Sequence, residues 1–167
     1  MGVFNADQIL EMAEQIERNG ARFYRIAARN TEASQGKQIL LDLAADEVEH
    51  EKVFAAMRAE IQKQKKTISD YPVLNLEDDE YSLYLQAVAD GHVFDIQIDP
   101  SEALTGEETA EDIFQIALAR EKDAVVFYLG MKNMVSESQG KDKVERIVKE
   151  EVNHVTIISK KLAELNQ

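Results

Sequence analysis

Along two stretches of the chain, apolar residues recur every three to four positions, which is the spacing of one face of an α-helix. This pattern predicts a helix that begins near Asn5, a second after Gly36, a third at Thr109 and a fourth at 138–140. Only 7 glycines and 2 prolines occur in 167 residues, so few breakers interrupt these helices. We therefore predict an all-α protein with one domain, an antiparallel four-helix bundle built from two helical hairpins and a long crossover connection: 5–66, 109–166 and, between them, 67–108.

Composition narrows the classes of partner. Lysine and arginine number 19 against 32 aspartates and glutamates, which gives a net charge of −13. Such a charge repels phosphate, so we expect no binding to nucleic acid or to membranes, whereas cations are attracted. Cysteine is absent, which excludes disulfides, thiolate nucleophiles and cysteine-ligated zinc or iron–sulfur clusters. The chain starts without a leader pattern and contains no apolar run near the ~20 residues of a membrane span, so we predict a cytoplasmic protein.

The two hairpins repeat one another. The tetrapeptide Ser-Gln-Gly-Lys at 34–37 recurs at 138–141, and the same offset of 104 residues aligns the two halves without a gap. Two unrelated amphipathic hairpins would share apolar residues at helical spacing. They would not be expected to share a tetrapeptide and uncommon residues at identical offsets. Two related hairpins packed face to face form a four-helix bundle with approximate two-fold symmetry.

Each hairpin carries one Glu-x-x-His motif on its second helix. Residues three apart lie on one helical face, so the carboxylate and the imidazole can address one point. A further glutamate on the first helix stands as far before the turn as the motif glutamate stands after it, so both lie level, about 22 Å from the turn at a rise of ~1.5 Å per residue. Their helical neighbours are apolar, which predicts that they point inward. The candidate metal ligands are Glu17, Glu47, His50, Glu121, Glu151 and His154.

Four inward carboxylates carry about four negative charges, and burying them without compensation would be very costly. Two divalent cations would neutralise this charge, and an oxygen-rich set with two imidazoles and no thiolate suits iron or manganese. The competing interpretation is a metal-free helical interaction module, in which these residues form solvated faces or salt bridges.

The pattern Glu17…Glu47-x-x-His50…Glu121…Glu151-x-x-His154 resembles that of the ferritin-like di-iron carboxylate proteins. The rubrerythrin-like branch is the most similar, because a tyrosine follows the first glutamate by seven residues and a long connection separates the hairpins. Rubrerythrins usually carry an additional glutamate three residues after the third-helix ligand, where this chain has Ala124. They also often carry a cysteine-ligated rubredoxin domain, which this sequence lacks.

The resemblance implies a ferritin-like bundle that holds two iron ions, with manganese or a mixed pair as alternatives. It implies an oxidoreductase that reduces peroxide or dioxygen and receives electrons from a separate donor protein, and we expect a homodimer. The alternative function is a ferroxidase or an iron-storage protein. The candidate catalytic residues are Tyr24 and Tyr128, which follow Glu17 and Glu121 by two turns and can bond a ligand carboxylate or relay an electron. Otherwise they are core residues with a satisfied hydroxyl.

Two acidic residues, Asp46 and Glu150, directly precede the Glu-x-x-His motifs. A metal-bound imidazole usually donates its second N–H to a carboxylate or a carbonyl. We therefore predict that Asp46 pairs with His154 and Glu150 with His50, across the bundle. The third histidine, His92, stands alone in the connection and is interpreted as structural.

Overall fold

The computed structural model describes residues 6–67 and 104–167, which form four long α-helices and contain no strand. Within the first hairpin, α1 spans Ala6–Asn30 and α2 spans Ser34–Thr67. In the second hairpin, α3 spans Ala110–Met134 and α4 spans Lys141–Leu165, after a 3-10 turn at Glu137–Gln139. The predicted all-α four-helix bundle is therefore confirmed. Asn5, His92 and most of the predicted connection lie outside the described residues.

Helices of different hairpins are antiparallel as well. Tyr24, late in α1, contacts Glu121 in the middle of α3, whereas Glu17, earlier in α1, contacts Tyr128, later in α3. Crossed contacts of the same kind make α2 and α4 antiparallel. Consequently α2 ends at one end of the bundle and α3 begins at the other, which is the arrangement predicted for hairpins joined by a crossover.

The start of α3 agrees with the predicted start at Thr109, which is the N-cap of this helix. The Thr109 hydroxyl accepts a hydrogen bond from the Asp112 N–H at 3.1 Å, and the Asp112 carboxylate accepts one from the Thr109 N–H at 2.9 Å. These two bonds form a capping box, which satisfies two donors that a helix start leaves free.

The prediction for α2 was wrong at both ends. The helix begins at Ser34, two residues before Gly36, because this glycine permits close packing rather than stopping the helix. A Cβ added at Gly36 would lie 3.3 Å from Thr31 and 3.6 Å from Phe114. The helix also continues to Thr67 instead of fraying within 62–66, a stretch of lysines and glutamines whose straight side chains favour helix.

The two copies of the Ser-Gln-Gly-Lys tetrapeptide adopt different conformations. The first copy lies in the first turn of α2, whereas in the second Gly140 has φ +100°, a left-handed conformation between the 3-10 turn and α4. Ser136 and Gln139 close that 3-10 turn by reciprocal hydrogen bonds. Glu32 occupies the place of Ser136 in the first hairpin, so the symmetry of the sequence is broken at the turns.

The core is divided into two apolar clusters with a buried polar layer between them. One cluster, nearer the start of α1, includes Phe54, Phe127 and Met131, and the other includes Phe23 and Phe114. All six candidate ligands lie between the clusters, and none is more than 4% exposed. In the part of the chain that the structure describes, every helix is too polar or too short to cross a bilayer.

Candidate metal centre

The polar layer receives side chains from all four helices at one level. α1 and α3 each supply one glutamate, and α2 and α4 each supply a Glu-x-x-His pair. The nitrogen and oxygen atoms group into two sets, and within each set they lie within 4.8 Å of one another. The first set is Glu17, Glu47, His50 and Glu151, and the second is Glu47, Glu121, Glu151 and His154. The structure thus brings together every candidate ligand of the sequence.

Two glutamates belong to both sets. The two oxygens of Glu151 lie 3.0 Å from His50 Nδ1 and 3.1 Å from His154 Nδ1. The two oxygens of Glu47 lie 3.6 Å and 3.7 Å from the same two nitrogens. Each carboxylate therefore turns one oxygen to each set, which is the geometry of a group that can bridge two metal ions.

The other two glutamates each face a single set. Glu17 Oε2 lies 3.5 Å from His50 Nδ1, and Glu121 Oε2 lies 3.4 Å from His154 Nδ1. Their second oxygens accept hydrogen bonds from tyrosines of the opposite hairpin. Since the hydroxyl occupies Oε1, each of these carboxylates presents one oxygen to the centre.

The outer nitrogens of the two imidazoles bond the carboxylates predicted from the sequence. His50 Nε2 lies 2.7 Å from Glu150, and His154 Nε2 lies 3.3 Å from Asp46. An ionised carboxylate only accepts hydrogen bonds, so each Nε2 carries a hydrogen and each Nδ1 faces the centre. The Glu150 and Asp46 side chains are 45% and 58% exposed, so they connect the buried imidazoles to the surface.

The protonation states reflect four carboxylates crowded into a dry layer. Burial, followed by the charges of Glu151 and Glu17, raises the pKa of Glu47 well above its ordinary value. Burial also raises the pKa of Glu121 to about 8, although its hydrogen bond with His154 opposes the shift. For Glu151, burial would raise the pKa, but hydrogen bonds from both histidines outweigh it and leave the pKa low.

The histidines shift in the complementary direction. Burial lowers the pKa of His154, but hydrogen bonds to Glu121 and Glu151 outweigh it and raise the pKa to about 10. The pKa of His50 is raised for the same reason, with Glu151 as its first partner. Without metal, the imidazoles thus carry the positive charge that balances part of the carboxylates.

The residues of the layer fit a pair of metal ions. His50 Nδ1 and Glu151 Oε1 are both buried and lie 3.0 Å apart, and no other described residue offers either atom a hydrogen bond. Without metal, the proton of the charged imidazole faces this oxygen, and a metal cation can replace that proton and bind both atoms. Nitrogen and oxygen donors without sulfur suit iron and manganese.

The layer contains no additional carboxylate at the position that departs from the rubrerythrin pattern. Ala124 is buried there, three residues after Glu121. Its counterpart on α1 is Gly20, where an added Cβ would lie 3.4 Å from the Glu47 side chain. Within residues 6–67 and 104–167, the two sets therefore consist of four glutamates and two histidines.

One charged residue beside the centre was missed from the sequence. Arg120 directly precedes Glu121, is half-buried, and lies with its guanidinium 4.6 Å from the centre of the Phe23 ring. Hydrophobic periodicity does not distinguish it from other arginines. The repeat did carry a signal for this residue. When the two halves are aligned at the offset of 104 residues, the charged Arg120 falls on the apolar Ile16.

Comparisons with known proteins agree with this architecture. The chain is similar to a protein from Thermotoga maritima described as a ferritin-like diiron-carboxylate protein, with 22% identity, a TM-score of 0.69 and 98% coverage of both chains. At that identity the likeness establishes the fold. No curated protein matches the chain significantly. The rubrerythrin family model matches residues 8–163, which include both hairpins and all six candidate ligands. This chain belongs to the rubrerythrin family.

Proposed function

We propose that the protein is a di-iron oxidoreductase that reduces hydrogen peroxide, with dioxygen as the alternative oxidant. The observation that carries the proposal is the pair of overlapping ligand sets that share Glu47 and Glu151. Two carboxylates that address both positions can hold two metal ions a few Å apart, as two-metal enzymes require. The family implies a dinuclear site, and the donor atoms favour iron, with manganese or a mixed pair as other occupants.

Two bound ferrous ions would supply the two electrons that convert hydrogen peroxide and two protons into two water molecules. Four carboxylates balance the charge of two ferrous ions. Within these 167 residues no cysteine is available for a redox cluster, so we assign the return of electrons to a separate donor protein.

The residues around the ligands have distinct tasks. Tyr24 and Tyr128 hold the outer carboxylates, and burial raises the pKa of both phenols, so their hydroxyl protons stay on at neutral pH. Glu150 and Asp46 hold the imidazoles with Nδ1 turned inward. The apolar clusters on either side exclude water from the layer.

The test is rapid-mixing absorbance of protein loaded anaerobically with ferrous iron. We expect about two iron ions per chain, oxidised by peroxide faster than free ferrous iron in the same buffer. Glu47→Gln should lose most of this rate, whereas Glu49→Gln, which alters an exposed carboxylate two residues away, should keep it.

Three outcomes separate the alternatives. Oxidation no faster than that of free iron by either oxidant would reject the catalytic proposal. Continued uptake far beyond two ions per chain, with a growing ferric mineral, would identify iron storage instead. If the wild-type protein retains no iron, the metal-free interaction module is the correct interpretation.

A further inference from the structure

The two ligand sets are nearly identical in chemistry and in spacing. Each has one outer glutamate, one histidine and the same two shared glutamates. The matching distances from histidine Nδ1 differ by only 0.1 Å between the sets: 3.5 and 3.4 Å to the outer glutamates, 3.0 and 3.1 Å to Glu151, and 3.6 and 3.7 Å to Glu47. The ligand atoms of the two positions are therefore matched, whereas the charges around them differ.

The second set has a half-buried arginine beside it at a position where the first half of the repeat has an isoleucine. Arg120 is half-buried against Phe23 and interacts electrostatically with Glu121 and with Tyr24, the tyrosine that bonds Glu121. Among the described residues, no carboxylate lies within 4.0 Å of its guanidinium, so none of them forms an ion pair with its charge. Arginine keeps its proton in proteins. The place of Arg120 in the first half is taken by the apolar Ile16.

The first set has an extra anion beside it. Glu14 lies one turn before Glu17, is only 13% exposed, and stands where the other half has Leu118. Its Oε1 is buried without a hydrogen-bond partner among the described residues, and the nearest arginine atoms are 3.6 Å and 4.0 Å from its oxygens. Those two arginines also bind other carboxylates at shorter distances, namely Asp7, Glu11 and Glu51. In these ion pairs of residues 6–67, four carboxylates share two guanidinium groups, and Glu14 has the longest contacts of the four.

We propose that the two metal positions are inequivalent and that the position of Glu17 and His50 fills before that of Glu121 and His154. The inference rests on the proposed dinuclear site. A cation entering beside Glu121 is repelled by the permanent charge of Arg120, whereas a cation entering beside Glu17 is attracted by Glu14. Because the layer is buried, solvent screens these charges only weakly.

Zinc titration followed by NMR of ¹⁵N-labelled histidine rings tests the order of filling. Zn²⁺ is a diamagnetic and redox-inert probe, and the sequence contains only three histidines, so each ring can be followed. At one equivalent of zinc, we expect the bound signal of His50 to exceed that of His154 by about tenfold, and the second equivalent should convert His154. Equal conversion of both rings throughout the titration would overturn the inference.

Substitutions test the cause. Arg120→Met removes the charge and keeps a long side chain over Phe23, so the two rings should convert more nearly together. Arg120→Lys should retain the preference, and Lys122→Gln, which removes an exposed cation from the same helix, should leave it unchanged. Glu14→Gln should reduce it from the other side. Circular dichroism and thermal unfolding of each variant verify that the bundle is intact.

The failure of this inference is distinguishable from the failure of the proposed site. A preference for His50 that persists unchanged in both Arg120→Met and Glu14→Gln would reject the two charges as its cause. If zinc shifts neither His50 nor His154, the dinuclear site itself is wrong.

Discussion

Replacing Glu47 by glutamine should raise the stability of the metal-free protein and reduce the stabilisation that metal binding adds. In the metal-free protein, burial and three neighbouring carboxylates raise the pKa of Glu47 well above 4.5. The folded protein therefore holds a proton on Glu47 at pH values where the unfolded chain has already released it. A pKa difference of one unit corresponds to 1.36 kcal/mol, so holding this proton costs up to about 3 kcal/mol at pH 7.

Glutamine avoids this cost because it is neutral in both states. Its amide can also donate to Glu17, as protonated Glu47 does. Metal-free Glu47→Gln should therefore be up to about 3 kcal/mol more stable than the metal-free wild type at pH 7, or roughly 6–12 °C higher in Tm for a chain of this size. The sign follows from the raised pKa: the wild type loses stability as pH rises above 4.5, so the gap should close as pH falls toward 4.5.

With metal, the advantage of the variant should shrink. Glu47 belongs to both ligand sets, so its loss weakens both metal positions. At a free metal concentration of 100 times Kd, each bound ion stabilises the fold by about 2.7 kcal/mol, and each tenfold loss of affinity removes about 1.4 kcal/mol of it. The rise in Tm on adding saturating metal should therefore be several degrees smaller in Glu47→Gln than in the wild type.

Scanning calorimetry with chelator and then with excess Mn²⁺ or anaerobic Fe²⁺ measures both effects. Glu49→Gln is the matched control, because this neighbouring carboxylate is 68% exposed and pairs with Lys52 on the surface. It should shift neither Tm by more than about 1 °C. A lower metal-free Tm for Glu47→Gln, together with an unchanged metal increment, would refute the assignment of Glu47 as a buried ligand.

Three further predictions concern other parts of the structure. Tyr24→Phe and Tyr128→Phe each remove a hydrogen bond to a buried carboxylate. In urea titrations of the metal-loaded protein, each substitution should lower the free energy of unfolding by about 1.5–3 kcal/mol, and no change in either variant would contradict the observed contacts. The pKa values of His50 and His154 are raised, so both are protonated at pH 7 without metal. Zinc binding should therefore release protons and weaken as pH falls. Calorimetry in buffers of different ionisation enthalpy counts the released protons, and a count of zero would refute this protonation. Thr109→Ala should cost about 1 kcal/mol through loss of the α3 cap, whereas Thr109→Ser should cost little.

The helices and the ligand layer could be predicted because their signals are local and are repeated. A period of three to four residues indicates a helical face, and equal distances from the turn place Glu17 level with Glu47 without any knowledge of packing. The pairing of Asp46 with His154 also followed, because the repeat and the need of a ligating imidazole for an acceptor leave few partners. The contacts confirm this pairing.

Features that depend on packing in three dimensions were not predicted. The sequence offers Tyr24 both Glu17 on its own helix and Glu121 on the other hairpin, and only the antiparallel packing of α1 on α3 selects Glu121. The start of α2 was misplaced because a glycine that stops a helix and a glycine that permits close packing look alike in sequence. The position of Arg120 against Phe23 required the relative rotation of two helices, which no local pattern fixes.

The crossed contacts make each half of the centre dependent on the opposite hairpin. Glu17 takes its tyrosine, and His50 its outer carboxylate, from residues more than 90 positions away in the chain. Sliding one hairpin by a single helical turn, ~5.4 Å, would break all of these contacts together, so metal retention reports correct docking of the two hairpins. A symmetric dimer of one hairpin would supply every ligand twice, but it would also duplicate every neighbour. Two different copies in one chain place Arg120 on one side and Ile16 on the other, which gives a symmetric ligand set an asymmetric environment.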